Sequence, residues 1–350
     1  MSIIVKRPGL LSSFQDNGRW GYQHLGVSVT GAMDVQSHQM ANLIAGNTQD
    51  CATLEITLIG PVLTFTKPCC ICLTGAQMNA RINDRLAPRY RPLIVRPSDT
   101  LTFETASEGT RAYLAVYGGF DLPVVMNSQS TYLRAGFGGW HGRALKKGDE
   151  IALRSTLTND PTLLTALNER IWNQVLYLPS TLGQHTGRKS LVRLIRSDQW
   201  PAFTAQSRGA MVSSTWRVAI DSERMGYRLE GPEIALETPR EMISEATTFG
   251  SIQVPRGGQP IVLMADRQTS GGYPKIGTVA SVDLPILAQK KPGDEVRFTL
   301  VDVEHAQKLD RQKADALEEL AVSLANIRQW LNDARANTAD TANTANTANT

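Results

Sequence analysis

Apolar and polar positions alternate strictly through Glu295–Val301, with Val296, Phe298 and Leu300 on one face and Glu295, Arg297 and Thr299 on the other. That period of two predicts a half-buried strand. Residues 56–65, 114–117, 216–220, 251–254 and 260–265 are predicted as further strands, and Gly, Pro, Asn or Asp punctuates nearly every gap. Short strands at this spacing predict barrels or sandwiches rather than a parallel α/β sheet. Helical spacing is rarer. Asp34 precedes a candidate helix over 35–45 that ends at Gly46-Asn47. Asn159-Asp160-Pro161 supplies a polar cap and a first-turn proline ahead of Leu163, Leu164, Leu167 and Ile171, predicted to share one face. Leu317, Leu320, Leu324, Ile327 and Leu331 recur at alternating spacings of three and four, predicting a helix over about 304–335 with a narrow apolar seam.

Two segment types recur in the same order in each half. Residues 58–65 resemble 229–236, and 97–103 resemble 292–298, with 147–153 a third relative of the latter pair. Either the chain holds two related β domains, or turn-then-strand pieces simply look alike. The expected organisation is a β domain over 1–155, a linker with a short helix over 156–190, a second β domain over 191–302, a C-terminal helix over 303–335 and a disordered tail over 336–350, where Thr-Ala-Asn repeats offer nothing to bury.

Composition narrows the function classes. Of 350 residues, 41% are hydrophobic and 20% charged, enough to bury sizeable cores. The formal charge of +3 is too small, and the aromatic content of 6% too low, to argue for nucleic acid or an anionic membrane surface. No apolar run approaches the roughly 18 residues of a spanning helix, and Lys6, Arg7 and Pro8 interrupt any leader-like stretch. The expectation is a cytoplasmic protein. Cys69, Cys70 and Cys72 sit in one apolar run. Neighbours on a strand face opposite ways, so these thiols are expected to be reduced core residues rather than a metal site. His24, His38, His141, His185 and His305 form none of the zinc patterns, so no metal is expected.

Three segments could carry chemistry. The apolar run 261–265 ends in Asp266-Arg267-Gln268-Thr269, followed by Ser270-Gly271-Gly272-Tyr273-Pro274-Lys275. Arg267 and Lys275 could hold an anion, and Asp266 could accept a proton or orient Arg267, beside a glycine loop whose backbone a ligand can approach closely. An ordinary hairpin with an Asp/Arg surface pair would read the same way. The second segment carries Gln15, Asp16, Arg19 and Asp34 among glycines but lacks a P-loop ending, and a structural role in an irregular loop is favoured. The third, Gly118-Gly119-Phe120-Asp121, offers polar groups without a nucleophile.

Gln15-Asp-Asn-Gly-Arg19, Thr30-Gly-Ala-Met-Asp34, Leu54-Glu-Ile-Thr57, Gly118-Gly-Phe-Asp121, Arg224-Met-Gly-Tyr-Arg-Leu-Glu-Gly231 and the run from Gln259 to Gly277 together resemble the biotin-dependent carboxyltransferase, or allophanate hydrolase subunit 2, family, which includes the KipA-like C subunits of 5-oxoprolinase. Thr30 stands where Ser is commoner, and Ser197-Asp-Gln-Trp200 departs from the usual run. The resemblance implies a mainly β protein with two barrel-like, cyclophilin-like domains. It implies a C subunit that opens pyroglutamate with ATP and its Mg2+, directly partnered by a KipI-like B subunit and joined by the A subunit of 5-oxoprolinase. Asp266, Arg267 and Lys275 would then be catalytic. Gln268, Thr269, Gly271, Gly272 and Tyr273, with Gln15, Asp16, Arg19 and Asp34, would bind the cyclic amide. Two alternatives are a KipA-like antagonist of a kinase inhibitor and a urea or amide carboxyltransferase. For the latter the biotin would ride on another chain, since no biotinyl Met-Lys-Met segment is present.

Overall fold

The structure, a computed structural model, describes residues 2–183, 190–238 and 242–336. His185 and the Thr-Ala-Asn repeats lie outside the described residues. The N-terminal half forms two antiparallel sheets. One has six strands in the order Glu150–Ala152, Ser2–Arg7, Val62–Phe65, Thr100–Thr102, Arg81–Ile82, Arg85–Leu86. The other has five, in the order Leu11–Gln15, Thr53–Thr57, Glu108–Val116, Cys69–Gln77, Pro92–Val95. Strand alternation builds the layers. Leu54, Ile56, Ile71, Leu73, Leu114 and Val116 point into the core between the sheets. Cys70, Cys72, Tyr113, Ala115 and Tyr117 point the other way, into a layer of helices. The three thiols are buried and unbridged, and burial pushes that of Cys70 up to about 12.

That layer contains Val35–Ile44, Pro161–Asn173, Val303–Ser323 and Ala325–Asp333. Asp34 and Asp160 cap the first two through their carboxylates. All five apolar seam positions, from Leu317 to Leu331, are buried against this chain's own sheet. Two expectations change. Leu163 faces away from its predicted partners and is 56% exposed, whereas Leu164, Leu167 and Ile171 are buried. The C-terminal helix comes in two segments, interrupted at Leu324, which still places its side chain in the core. The strand expected over 56–65 is also two strands in different sheets, separated by left-handed Leu58 and by Gly60-Pro61.

The C-terminal half is a closed barrel in the order Leu191–Arg196, Lys275–Val279, Ser251–Gln253, Ile261–Leu263, Gly226–Glu230, Trp216–Val218, Glu295–Val301. Parallel pairing of Leu191–Arg196 with Glu295–Val301 closes it. Trp216, Val296, Phe298, Ile252, Val262 and Ile276 fill its interior. The resembling turns share one geometry. Asp99, Asp149 and Asp294 each accept from the backbone N–H three residues earlier at 2.8, 2.7 and 3.0 Å, and Ser98, Gly148 and Gly293 all have positive φ. Each turn then feeds a strand.

Candidate functional site

On its outer face the five-stranded sheet carries Glu55 paired in register with Tyr113, and Arg111 paired with Thr57. The barrel lays Arg224, Tyr227, Asp266 and Gln289 against that face. Asp266 follows the strand Ile261–Leu263, and its backbone N–H donates to the Arg224 carbonyl at 2.8 Å. The Arg224 guanidinium then reaches Asp266 through two parallel bonds of 2.9 Å each. It also donates to Glu55 and to the Gly31 carbonyl (2.7 Å). Glu55 accepts in turn from the Tyr113 hydroxyl at 2.7 Å and the Met33 N–H at 2.9 Å. Arg111 stands 3.7 Å from Glu55 and donates to the Tyr227 hydroxyl and the Ala288 carbonyl, 2.6 Å each. Gln289 closes the circuit, accepting from the Thr110 and Arg111 N–H groups and donating to Asp34 at 2.8 Å.

All these side chains are buried, so the charges persist only because they are paired. Burial alone would raise the Glu55 carboxyl, but Arg224 and Arg111 outweigh it and hold Glu55 below the ordinary range. Burial would likewise lower the Arg224 guanidinium, but Asp266 and Glu55 raise it instead. The halves are thus bolted together by two carboxylates and two guanidinium groups, a rigid arrangement of fixed charge.

Beside the bolt lies a cleft of about 570 Å³. Leu11, Thr57, Arg111, Leu133 and Arg134 wall it from the N-terminal half, and Ser222, Glu223, Arg224, Met225 and Asp266 from the barrel. A second cavity of about 690 Å³ lies on the barrel, lined by Phe203, Ile234, Leu236 and Val254, by the charged Glu233 and Arg256, and by the turn Gly272-Tyr273-Pro274.

The sequence-predicted site residues therefore separate. Asp266 enters the interdomain cleft. Arg267 is buried above the Phe249 ring, 5.7 Å from its centroid, where desolvation lowers it to about 10. The Lys275 ammonium pairs with Glu245 at 2.9 Å and donates to the Ala246 carbonyl, while its backbone N–H donates to Gln199. The departing segment 197–200 thus helps to fix Lys275. Gln268 donates to Gln253 at 3.1 Å, the Thr269 carbonyl accepts from Thr247, and Gly271 packs where a side chain would strike Gln253. Gly272 and half-exposed Tyr273 face the barrel cavity. In the N-terminal half, Gln15 donates to Ser13 and to the Thr131 carbonyl. Asp16 accepts from Gly18, Ser128 and Gln129, and Arg19 donates to the Val125 and Ser130 carbonyls and to Thr30. Asp34 caps a helix. Gln15, Asp16 and Arg19 hold loops in place, and Asp34 also accepts from Gln289 in the buried circuit. Sequence reading gave no site role to Glu55, Arg111, Arg134, Glu223, Arg224 and Gln289, although Glu55 and Arg224 lie in strings that carry the family resemblance. A charged Glu55 between buried Leu54 and Ile56, mid-strand, was the available signal.

The chain is thus a β sandwich backed by helices and locked to a closed barrel by buried carboxylate–guanidinium pairs, with a cleft at the seam. Residues 25–300 match the model of the carboxyltransferase domain, subdomains A and B, and the chain belongs to that family. It is 36% identical to the 5-oxoprolinase C subunit of Haemophilus influenzae over 309 residues, covering 88% of this chain and 94% of that protein. It is 35% identical to the 5-oxoprolinase C subunit of Escherichia coli K12, covering 93% and 99%. The fold matches that of the K. lactis urea amidolyase with a TM-score of 0.81 at 27% identity, over 91% of this chain and 20% of that one.

Proposed function

We propose that this chain is the C subunit of a cytoplasmic, ATP-dependent 5-oxoprolinase that opens 5-oxoproline (pyroglutamate) to glutamate together with the A subunit and a KipI-like B subunit, the latter its direct neighbour. The observation that carries this reading is the identity of 35–36% along almost the whole length of two proteins bearing that name. The cleft agrees with it chemically. A small polar amide would meet fixed charges and apolar side chains (Leu11, Leu133 and Met225) contributed by both walls.

An unactivated lactam is a poor electrophile, and in the complex ATP supplies the activation. Among the described residues no group of three or more His, Cys, Asp or Glu side chains converges to hold a metal ion, and the Lys275 ammonium is taken by Glu245. The nucleotide is placed on, or shared with, the B subunit. This chain's part is to bind and orient the lactam against a charge array that does not reorganise. Reconstitution with the A and B subunits tests the reading. ATP-dependent glutamate release should require this chain, and equal release without it would contradict the assignment.

The likeness to the K. lactis urea amidolyase favours carboxyl transfer as the second reading, with biotin on a separate carrier. Activity that depends on added biotinyl carrier would select it.

A further inference from the structure

Of the three arginines in the interdomain cleft, two are committed. Arg224 is consumed by Asp266 and Glu55, and Arg111 is ion-paired with Glu55 at 3.7 Å and donates to Tyr227 and the Ala288 carbonyl, although its buried Nε makes no hydrogen bond. Arg134 differs. It is exposed, its guanidinium rests on the Met225 thioether, and among the described residues it forms no ion pair. Glu223, on the opposite wall, is also exposed, and its carboxylate has no ion-pair or hydrogen-bond partner among the described residues. Arg134 and Glu223 do not pair with each other. The cleft lining therefore offers, among the described residues, a cation without an ion pair from the N-terminal half and an unpaired carboxylate from the barrel, with the apolar Leu11, Leu133 and Met225 in the same lining.

We propose that Arg134 takes the substrate's carboxylate and Glu223 its amide N–H, so that the cleft selects a cyclic amide carrying an α-carboxylate. This rests on the 5-oxoprolinase reading and deepens it. A guanidinium recognises a planar carboxylate through paired N–H donors, and a carboxylate is a strong acceptor for a lactam N–H. The apolar walls suit the ring methylenes. A neutral amide such as urea would leave the Arg134 charge unanswered, so the pair discriminates between the two substrate classes found among the relatives.

The test uses the complex reconstituted with the A and B subunits and two lactams, 5-oxoproline and 2-pyrrolidinone, which lacks only the carboxylate. The wild-type complex should prefer 5-oxoproline in kcat/KM, and R134Q should lower that preference about 10- to 100-fold, chiefly through KM. R134K should restore part of it, since charge returns without the paired donors. E223Q, acting on the shared N–H, should weaken both lactams alike. Preference unchanged in R134Q would overturn the proposal. Calorimetric titration of the same complexes with 5-oxoproline separates this outcome from failure of the functional reading. An inactive complex that still binds 5-oxoproline through Arg134 would sink the reaction but support the site. Binding that is absent, or equally tight in R134Q, would sink the site.

Discussion

Arg224 illustrates how much one side chain holds. Its guanidinium serves Asp266, Glu55 and the Gly31 carbonyl, joining barrel, sheet and loop. Arg224→Met leaves the buried Asp266 carboxylate without a counter-charge and Glu55 with Arg111 alone, and should cost about 3–5 kcal/mol of unfolding free energy in urea titration. A loss under about 1 kcal/mol would show that the pairs are not a bolt. His38 makes a second prediction. It is fully buried, its Nδ1 lies 2.8 Å from the Thr53 hydroxyl, and desolvation lowers it to about 4. Folding therefore favours the neutral ring. Stability is unaffected above the unfolded value of about 6.5, declines as pH falls below it, and stops declining below about 4, a loss on the order of 3 kcal/mol. His38→Gln should flatten that segment of the stability–pH curve, and an unchanged curve would assign the acid sensitivity elsewhere. At this scale the sequence was only partly legible. Asp266 stood out because it ends an apolar strand. Its partner Arg224 lies 42 positions away along the chain, and Glu55 belongs to the other half altogether. Nothing local to any of the three announces the others.

At the scale of elements, periodicity read well where one face is buried and solvent bathes the other. Glu295–Val301 keeps its alternation at Val296 and Phe298, and the leucine seam at Leu317, Leu320, Leu324, Ile327 and Leu331 is buried at every position. Leu320→Ala should cost about 2–5 kcal/mol, because the seam cannot close over the void. Leu163→Ala, at an exposed position of Pro161–Asn173, should cost less than about 1 kcal/mol. Parallel melts of both variants check the packing directly, and equal losses would contradict it. Reading failed where backbone conformation intervenes. Residues 56–65 look apolar throughout, yet left-handed Leu58 and Pro61 divide them between two sheets. The turns ending in Asp99, Asp149 and Asp294 were legible as similar strings, and their shared aspartate hydrogen bond supplies the physical reason.

At the scale of the molecule, the site belongs to neither half alone. The glycine loop promised one cluster of Asp266, Arg267 and Lys275, because three charged residues close in sequence suggest three charges close in space. Asp266 lies in the turn after Ile261–Leu263, whereas Lys275 opens the strand Lys275–Val279, and Ser251–Gln253 runs between those two strands, so Asp266 faces the sheet of the other half while Lys275 turns to Glu245. Asp266 borders the cleft between the halves and Tyr273 the cavity on the barrel, and the central claim is that the lactam occupies the one between the halves. The most direct measurement is a crystal structure of the complex with 5-oxoproline bound. The ligand is predicted in the interdomain cleft, its carboxylate against Arg134 and its N–H toward Glu223. Ligand seated instead in the barrel cavity beside Tyr273 would contradict the claim.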